Sequence, residues 1–221
     1  MKKAEIKRMA ALSLLIAMIV VLQFVGGMIP PVGGFSISLV LIPIVLGAAI
    51  YGPKAGAILG VAFGVMVAIN CVTGADPGGA MVFQANPVLC VLVVMVKGIL
   101  AGLASGLVYQ AVKGFNGYVA MVLATVVCPL VNTGVFIACM YLFFIDVLAA
   151  WAGGGDVLGY ILTGLILANF VPELIINVVF TPAGNMISRI VKKTKSISSG
   201  SFGCRIFLFL KGTAMHSITQ E

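Results

Sequence analysis

Long apolar segments, with basic residues at every second connection between them, constrain the fold of this chain more than any other feature. Lysine and arginine lie before or at the start of the first segment and follow the second, fourth and sixth; these residues are Lys2, Lys3, Lys7, Arg8, Lys54, Lys113, Arg189, Lys192, Lys193 and Lys195. The other connections carry no basic residue and contain Asp76, Asp146 and Asp156. Because basic connections stay in the cytoplasm, this pattern predicts an all-α membrane protein with six transmembrane helices and with both termini cytoplasmic.

Composition excludes a soluble fold. The chain of 221 residues is 62% hydrophobic and 9% charged, which leaves too few polar side chains to cover a water-exposed surface. The net charge of +7 flanks the apolar segments and forms no stripe between exposed aromatic residues. We therefore interpret the charge as setting topology and contacting anionic lipid headgroups of the bilayer, and we do not expect nucleic acid as a partner.

The apolar segments place six predicted spans, each close to the length needed to cross a bilayer. They are residues 6–25, 36–51, 54–72, 87–112, 118–144 and 157–180, the last continuing past Pro182. The stretches between them, including 73–86 and 146–156, are predicted to be connections between spans. Residues 1–195 are expected to form one membrane domain. Residues 196–221 are serine-rich with a short apolar stretch, and are expected to form a disordered cytoplasmic tail.

Two series of glycines repeat at every fourth position in the third and fourth spans. They are Gly56, Gly60 and Gly64, and Gly98, Gly102 and Gly106. This spacing puts three glycines on one helix face, where a neighbouring backbone can approach closely. The two series predict tight packing of these spans and do not indicate a binding site.

Two ionisable residues, Lys97 and Glu173, lie inside predicted spans. Each costs about 2.5–3.5 kcal/mol at the bilayer centre on insertion scales, so each is expected to face the protein interior or water. Together with nearby amides they predict a cavity open to the outer side, formed by Asn70, Gln84, Asn86, Lys97, Asn132, Asn169 and Glu173. The alternative is that Lys97 and Glu173 only pair with each other, and that the amides bond between helices.

The sequence carries no recognisable catalytic motif. It has no P-loop with the required glycine spacing, and its one histidine, His216, lies in the tail, so neither a Ser-His-Asp triad nor an H-E-x-x-H zinc motif is present. The five cysteines show no paired spacing and are interpreted as packing residues. We expect no enzymatic activity, no ATPase motif, no metal and no cofactor.

The order of these features resembles the substrate-binding S components of energy-coupling factor (ECF) vitamin transporters, over residues 3–193. The matching features are the basic start at 2–8, the Gly/Pro-rich loop at 26–35, the stretches 50–56 and 97–103, and Asn132 and Asn169. The resemblance implies a six-helix substrate-binding protein of the bacterial cell membrane. Such a protein captures a vitamin or related micronutrient with high affinity, and its partners are a membrane coupling protein and two ATPase subunits.

The resemblance also implies roles for two other regions. In the family, the loop between the first two helices closes over the substrate as a lid, and the residues at that place here are Met28, Pro30, Pro31 and Phe35. An Ala-x-x-x-Ala pair on the first helix contacts the coupling protein. The corresponding residues here are Ser13 and Ala17, with Ala10 one turn earlier, so that serine replaces the first alanine.

Several substrates and two other functions remain open at the level of sequence. Lys97 suits a ligand with a carboxylate, such as pantothenate or a folate-like acid, whereas Glu173 stands where riboflavin-type members commonly carry lysine. Aromatic residues typical of thiamine sites are not apparent. A proton-coupled secondary transporter would use Lys97 and Glu173 as a relay, although its usual inverted repeats are not detected. A non-transporting membrane adaptor is the third reading.

Overall fold

The computed structural model describes residues 3–28 and 40–191, and within these residues the chain is helical without a β-strand. The helices are α1 (Lys3–Met28), α2 (Leu41–Tyr51), α3 (Pro53–Thr73), α4 (Pro77–Ala85), α5 (Pro87–Val112), α6 (Gly117–Phe143), α7 (Ile145–Trp151) and α8 (Val157–Val191). Residues Ile161–Phe170 of α8 are π-helical. Five helices, α1, α3, α5, α6 and α8, are long and apolar enough to cross a membrane, and α2 is shorter. The predicted all-helical membrane architecture is therefore confirmed.

Two of the predicted connections contain short helices. Residues 77–85 form α4 and residues 145–151 form α7. Pro77 occupies the first turn of α4, where its fixed φ and missing N–H favour a helix start, and this outweighs the two glycines that follow it. Residues 29–39 and 192–221 lie outside the described residues, and with them the lid residues Pro30, Pro31 and Phe35 and the predicted tail.

Two glycines with a positive φ angle and one side-chain cap set helix boundaries between α2 and α5. Gly52, with φ 92°, separates α2 from α3, and Gly74, with φ 75°, ends α3. These are backbone conformations that side chains with a Cβ rarely adopt. Asn86 begins α5, because its Oδ1 accepts a hydrogen bond from the backbone N–H of Leu89 at 3.1 Å. The start of α5 is as predicted at Pro87.

Helices α3 and α5 pack backbone against backbone through their glycines. A Cβ added at Gly98 would lie 2.5 Å from the carbonyl oxygen of Gly60, and one added at Gly106 would lie 2.5 Å from the Cα of Pro53. Gly56 and Gly102 meet in the same way. No side chain fits between the helices at these points, so the predicted tight packing of the two spans is confirmed.

The chain divides into two compact units, Met1–Asn185 and Met186–Glu221. The described residues of the second unit, 186–191, are helical. The first unit has a buried apolar core in which Ile44, Phe63, Val93 and Met121 represent α2, α3, α5 and α6. Its first helix instead exposes large apolar side chains such as Leu14 and Phe24, which suits a lipid-facing surface.

Candidate functional site

A pocket in the first unit gathers polar side chains from five helices and from the residue preceding α4. Its unfilled space amounts to about 760 Å³ when the part open to solvent is counted. Its charged and amide- or hydroxyl-bearing lining residues are Gln23, Asn70, Asp76, Lys97, Asn132, Thr133, Asn169 and Glu173. The other lining residues are apolar, glycine or cysteine, so the pocket wall is of mixed polar and apolar character.

Lys97 is the pocket's cation, and two aromatic rings hold it. Its Nζ lies 4.6 Å from the centroid of the Phe136 ring and 5.9 Å from that of the Phe63 ring. These rings belong to α6 and α3, on either side of α5, and their negative faces attract an ammonium group. The cation is thereby fixed in the pocket while its N–H donors remain suited to an acceptor on a ligand.

Two carboxylates accompany Lys97. Glu173 on α8 is buried, with 2% of its surface exposed, and Asp76 stands at the N-cap position of α4. Both interact electrostatically with the Lys97 ammonium. Burial raises the pKa of the Asp76 carboxyl above its ordinary value, an effect that the charge of Lys97 and the backbone N–H of Gly79 oppose. The pocket therefore combines one basic and two acidic side chains.

Several buried acceptor oxygens in the pocket have no hydrogen-bond partner among the described residues. They are Oε1 of Gln23, Oδ1 of Asp76 and Oδ1 of Asn132. A buried polar atom left without a partner costs about 1–3 kcal/mol, and a ligand that brings hydroxyl or amide N–H donors removes that cost. The site is thus suited to a small molecule with an anionic group for Lys97 and with donors elsewhere.

Neither a disulfide nor a metal-binding cluster occurs among the described residues. The thiols of Cys71, Cys90, Cys128 and Cys139 are free, and Cys71 and Cys90 form part of the pocket wall. Over residues 3–28 and 40–191, no group of three or more His, Cys, Asp or Glu residues is placed to hold a metal ion.

The structure brings together five of the seven residues that the sequence places in a cavity. Those lining the pocket are Asn70, Lys97, Asn132, Asn169 and Glu173. Gln84 is exposed on α4, and Asn86 is engaged as the cap of α5; neither lines the pocket. Asn169 lies in the π-helical part of α8, a conformation that is common at functional sites.

Sequence reasoning missed Gln23, Asp76 and Phe136. Asp76 enters the sequence prediction only as a charge that marks topology, and Gln23 is not singled out within the first span. Gln23 carries the same signal as Lys97, because it is a polar side chain inside an apolar run. Phe136 is four residues after Asn132 and so lies on the same face of α6, which would have been enough to include it.

The residues predicted to contact a coupling protein share one surface of α1. Ala10, Ser13 and Ala17 are all exposed, and Ser13 Oγ donates a hydrogen bond to the carbonyl of Met9 at 3.0 Å. Because the Ser13 hydroxyl bonds to the backbone of its own helix, it does not project from the surface of α1. Of the lid residues, Met28 is the last residue of α1.

Comparison with known proteins gives two matches. Residues 7–184 match the family described as ECF transporter, substrate-specific component. The chain is also 26% identical over 193 residues to the pantothenic acid transporter PanT of Lactococcus lactis subsp. cremoris (strain MG1363), across 83% of this chain and 94% of that protein. The family match extends over the residues that form the pocket.

Proposed function

The chain belongs to the substrate-specific components of ECF transporters, and on this premise we propose that its pocket captures pantothenate with high affinity. Membership in the family makes the chain a vitamin-binding membrane subunit and not an enzyme, as the sequence predicted. It also favours this function over a proton-coupled secondary transporter or a non-transporting adaptor. The choice of vitamin rests on the likeness to a pantothenic acid transporter over nearly its whole length.

The observation that carries the proposal is the chemistry around Lys97. Pantothenate has one carboxylate, one amide and two hydroxyl groups. The carboxylate pairs with the Lys97 ammonium, and charged hydrogen bonds of this kind contribute about 1.5–3 kcal/mol. The hydroxyl and amide N–H groups serve as donors to the unpartnered oxygens of Gln23 and Asn132. Asn70 and Asn169, which can both donate and accept, complete the contacts.

We further propose six membrane-spanning segments with both termini in the cytoplasm. In this arrangement α2 forms the second segment together with the residues before it, since its 11 residues give only about 17 Å at the usual helical rise. The basic residues then lie on the cytoplasmic side, and the pocket opens to the outside. The lid comprises Met28, Pro30, Pro31 and Phe35, and the protein resides in the bacterial cell membrane.

The energy for uptake comes, in this proposal, from a membrane coupling protein and two ATPase subunits. The contact surface is the exposed face of α1 formed by Ala10, Ser13 and Ala17. Small side chains let another helix approach closely, which favours helix association in lipid. The substrate pocket and this surface use different residues of the first unit, so binding and coupling can be impaired separately.

The direct test is mass spectrometry of small molecules released from the full chain after gentle purification from a rich medium. We expect pantothenate in stoichiometric amounts, and stabilisation by added pantothenate in thermal-shift measurements. Riboflavin, thiamine and folate serve as the comparison panel. Release of a different vitamin, or stabilisation by another member of the panel and not by pantothenate, would contradict the assignment.

A further inference from the structure

The charges in the pocket do not balance. Lys97 on α5 is one cation, and the carboxyl groups of Asp76, before α4, and Glu173, on α8, both act on it. The other titratable groups that face Asp76 are the thiols of Cys71 on α3 and Cys90 on α5. The lid segment 29–39 contains no titratable side chain. With both acids ionised, the pocket has a net negative charge before any ligand arrives.

An anionic ligand makes this imbalance worse. Its carboxylate would bring three negative groups around the single ammonium of Lys97. Like charges that share a poorly solvated site raise each other's proton affinity, because the energy of two ionised carboxylates rises steeply when water is excluded. One added proton would return the pocket to its ligand-free net charge, with the ligand and one side chain negative and Lys97 positive, and would turn one acid into a hydrogen-bond donor.

We propose that an anionic ligand enters this pocket together with one proton, which is held by the Asp76 carboxyl. The inference rests on the proposed function, since it concerns how that same site accepts a carboxylate. The proton comes from solvent and adds to one oxygen of Asp76, so that no redox step or further reactant is involved. Asp76 then donates its O–H to an oxygen of the ligand instead of repelling it.

Several features of Asp76 suit it to hold the added proton. Its Oδ1 is buried in the pocket without a hydrogen-bond partner among the described residues, so a proton can add there without breaking a bond. The residue lies between α3 and α4 at the end of the bundle, whereas Glu173 lies within the long helix α8. Burial also raises the pKa of Asp76, which brings its titration closer to neutral pH.

Ligand binding and protonation of Asp76 strengthen each other in this proposal. When the ligand raises the pKa of Asp76, the bound form takes up protons, and binding is tighter at lower pH. Between the pKa of Asp76 in the free protein and the higher pKa in the complex, the dissociation constant rises by up to about tenfold per pH unit. The ligand itself stays anionic in this window when the pH is kept above about 5.5, because free carboxyl groups titrate near 4.

Isothermal titration calorimetry of the full chain in detergent with pantothenate tests the proposal. Titrations at one pH in buffers of different ionisation enthalpy count the protons taken up. We expect an uptake that approaches one proton in the wild-type protein, and a dissociation constant that rises with pH. Asp76→Asn should bind with little proton uptake and a nearly constant affinity. Asp146→Asn, a change at an exposed aspartate outside the pocket, should behave as wild type.

The outcomes separate the two proposals. Pantothenate binding by the wild-type protein without proton uptake across the pH range overturns the proton linkage and leaves the proposed function intact. Uptake that persists unchanged in Asp76→Asn overturns the assignment to Asp76. Absence of pantothenate binding at every pH, in a protein that is folded by its thermal unfolding curve, overturns the proposed function and this inference with it.

Discussion

The ammonium nitrogen of Lys97 lies 4.6 Å from the centre of the Phe136 ring, which joins α5 to α6 inside the pocket. The ring attracts the cation without using its N–H donors. Lys97 is thus positioned by an aromatic side chain and is still able to donate to a ligand. Helix α6 also contributes Asn132 to the pocket, so the cation and an amide face one space.

Replacing Lys97 with methionine should weaken pantothenate binding strongly. The change keeps the length and apolar stem of the side chain and removes its charge. Loss of a charged hydrogen bond worth about 1.5–3 kcal/mol corresponds to a dissociation constant raised about 10- to 150-fold. Equilibrium binding of labelled pantothenate measures this. Lys113→Met, at an exposed lysine after α5, is the control, and equal affinity of the two variants would remove Lys97 from the site.

Replacing Phe136 with leucine should weaken binding more modestly, because it removes the cation–π contact and leaves Lys97 present. That contact is worth about 0.5–2 kcal/mol, or about 2- to 30-fold in the dissociation constant. Phe143→Leu on the same helix, where the ring is 54% exposed, should leave affinity unchanged. If both variants bind as wild type does, the ring has no part in positioning Lys97.

Replacing Gly98 with alanine should destabilise the protein, since the new methyl group would lie 2.5 Å from the carbonyl oxygen of Gly60. Forcing such a contact typically costs about 1–3 kcal/mol. The matched change is Gly134→Ala on α6, where a Cβ meets nothing within 4 Å. Thermal unfolding in detergent should show a lower midpoint for the first variant only. Equal midpoints would mean that α3 and α5 do not pack through their glycines.

The stability of the protein should depend on the charge of Asp76. Burial raises its pKa in the folded state, whereas in the unfolded chain an aspartate has a pKa of about 3.9. The folded state therefore binds the proton more tightly, and stability falls as pH rises from about 4 through the raised pKa. Asparagine is neutral at every pH and should remove this fall.

Thermal midpoints of the wild type and of Asp76→Asn, measured without ligand across this pH range, provide the test. The midpoint of the variant minus that of the wild type should grow more positive as pH rises. A difference that stays constant, or that shrinks with rising pH, would show that the folded protein does not disfavour the ionised form of Asp76.

A bulky residue on the proposed coupling face should block uptake without affecting binding. Ser13→Trp places a large ring between Ala10 and Ala17, where small side chains would otherwise permit close helix contact. Leu14→Trp is the control, because Leu14 is also exposed, at 70%, but lies about 100° away around the helix. We expect Ser13→Trp alone to abolish pantothenate uptake by cells that hold the ECF module, with unchanged binding in detergent. Uptake by both variants would relocate the coupling surface.

The sequence predicts the long helices well because the length and hydrophobicity of the apolar segments define them. The fourth predicted span and α5 share the bounds Pro87 and Val112, since a proline starts the helix and a polar turn ends it. The close approach of α3 and α5 at Gly60 and Gly98 can also be predicted from the glycine spacing. Such features depend on local composition and periodicity, which a sequence records directly.

The pocket is harder to predict, because it depends on which faces of separate helices meet. Asp76 precedes two glycines and has the sequence appearance of a loop, although the short helix α4 turns it into the pocket. Gln84 and Asn86 lie nearby in sequence, yet one is exposed and the other caps α5. A polar residue near a span end therefore does not reveal its partner; only the packing of α3, α4 and α5 does.

The most direct test of the central claim, that this pocket captures pantothenate, is saturation binding of labelled pantothenate to the purified full chain without any coupling protein or ATPase. We predict saturable binding to one site per chain, with competition by unlabelled pantothenate and with loss of affinity in Lys97→Met. Absence of saturable binding, or binding that Lys97→Met leaves untouched, would contradict it.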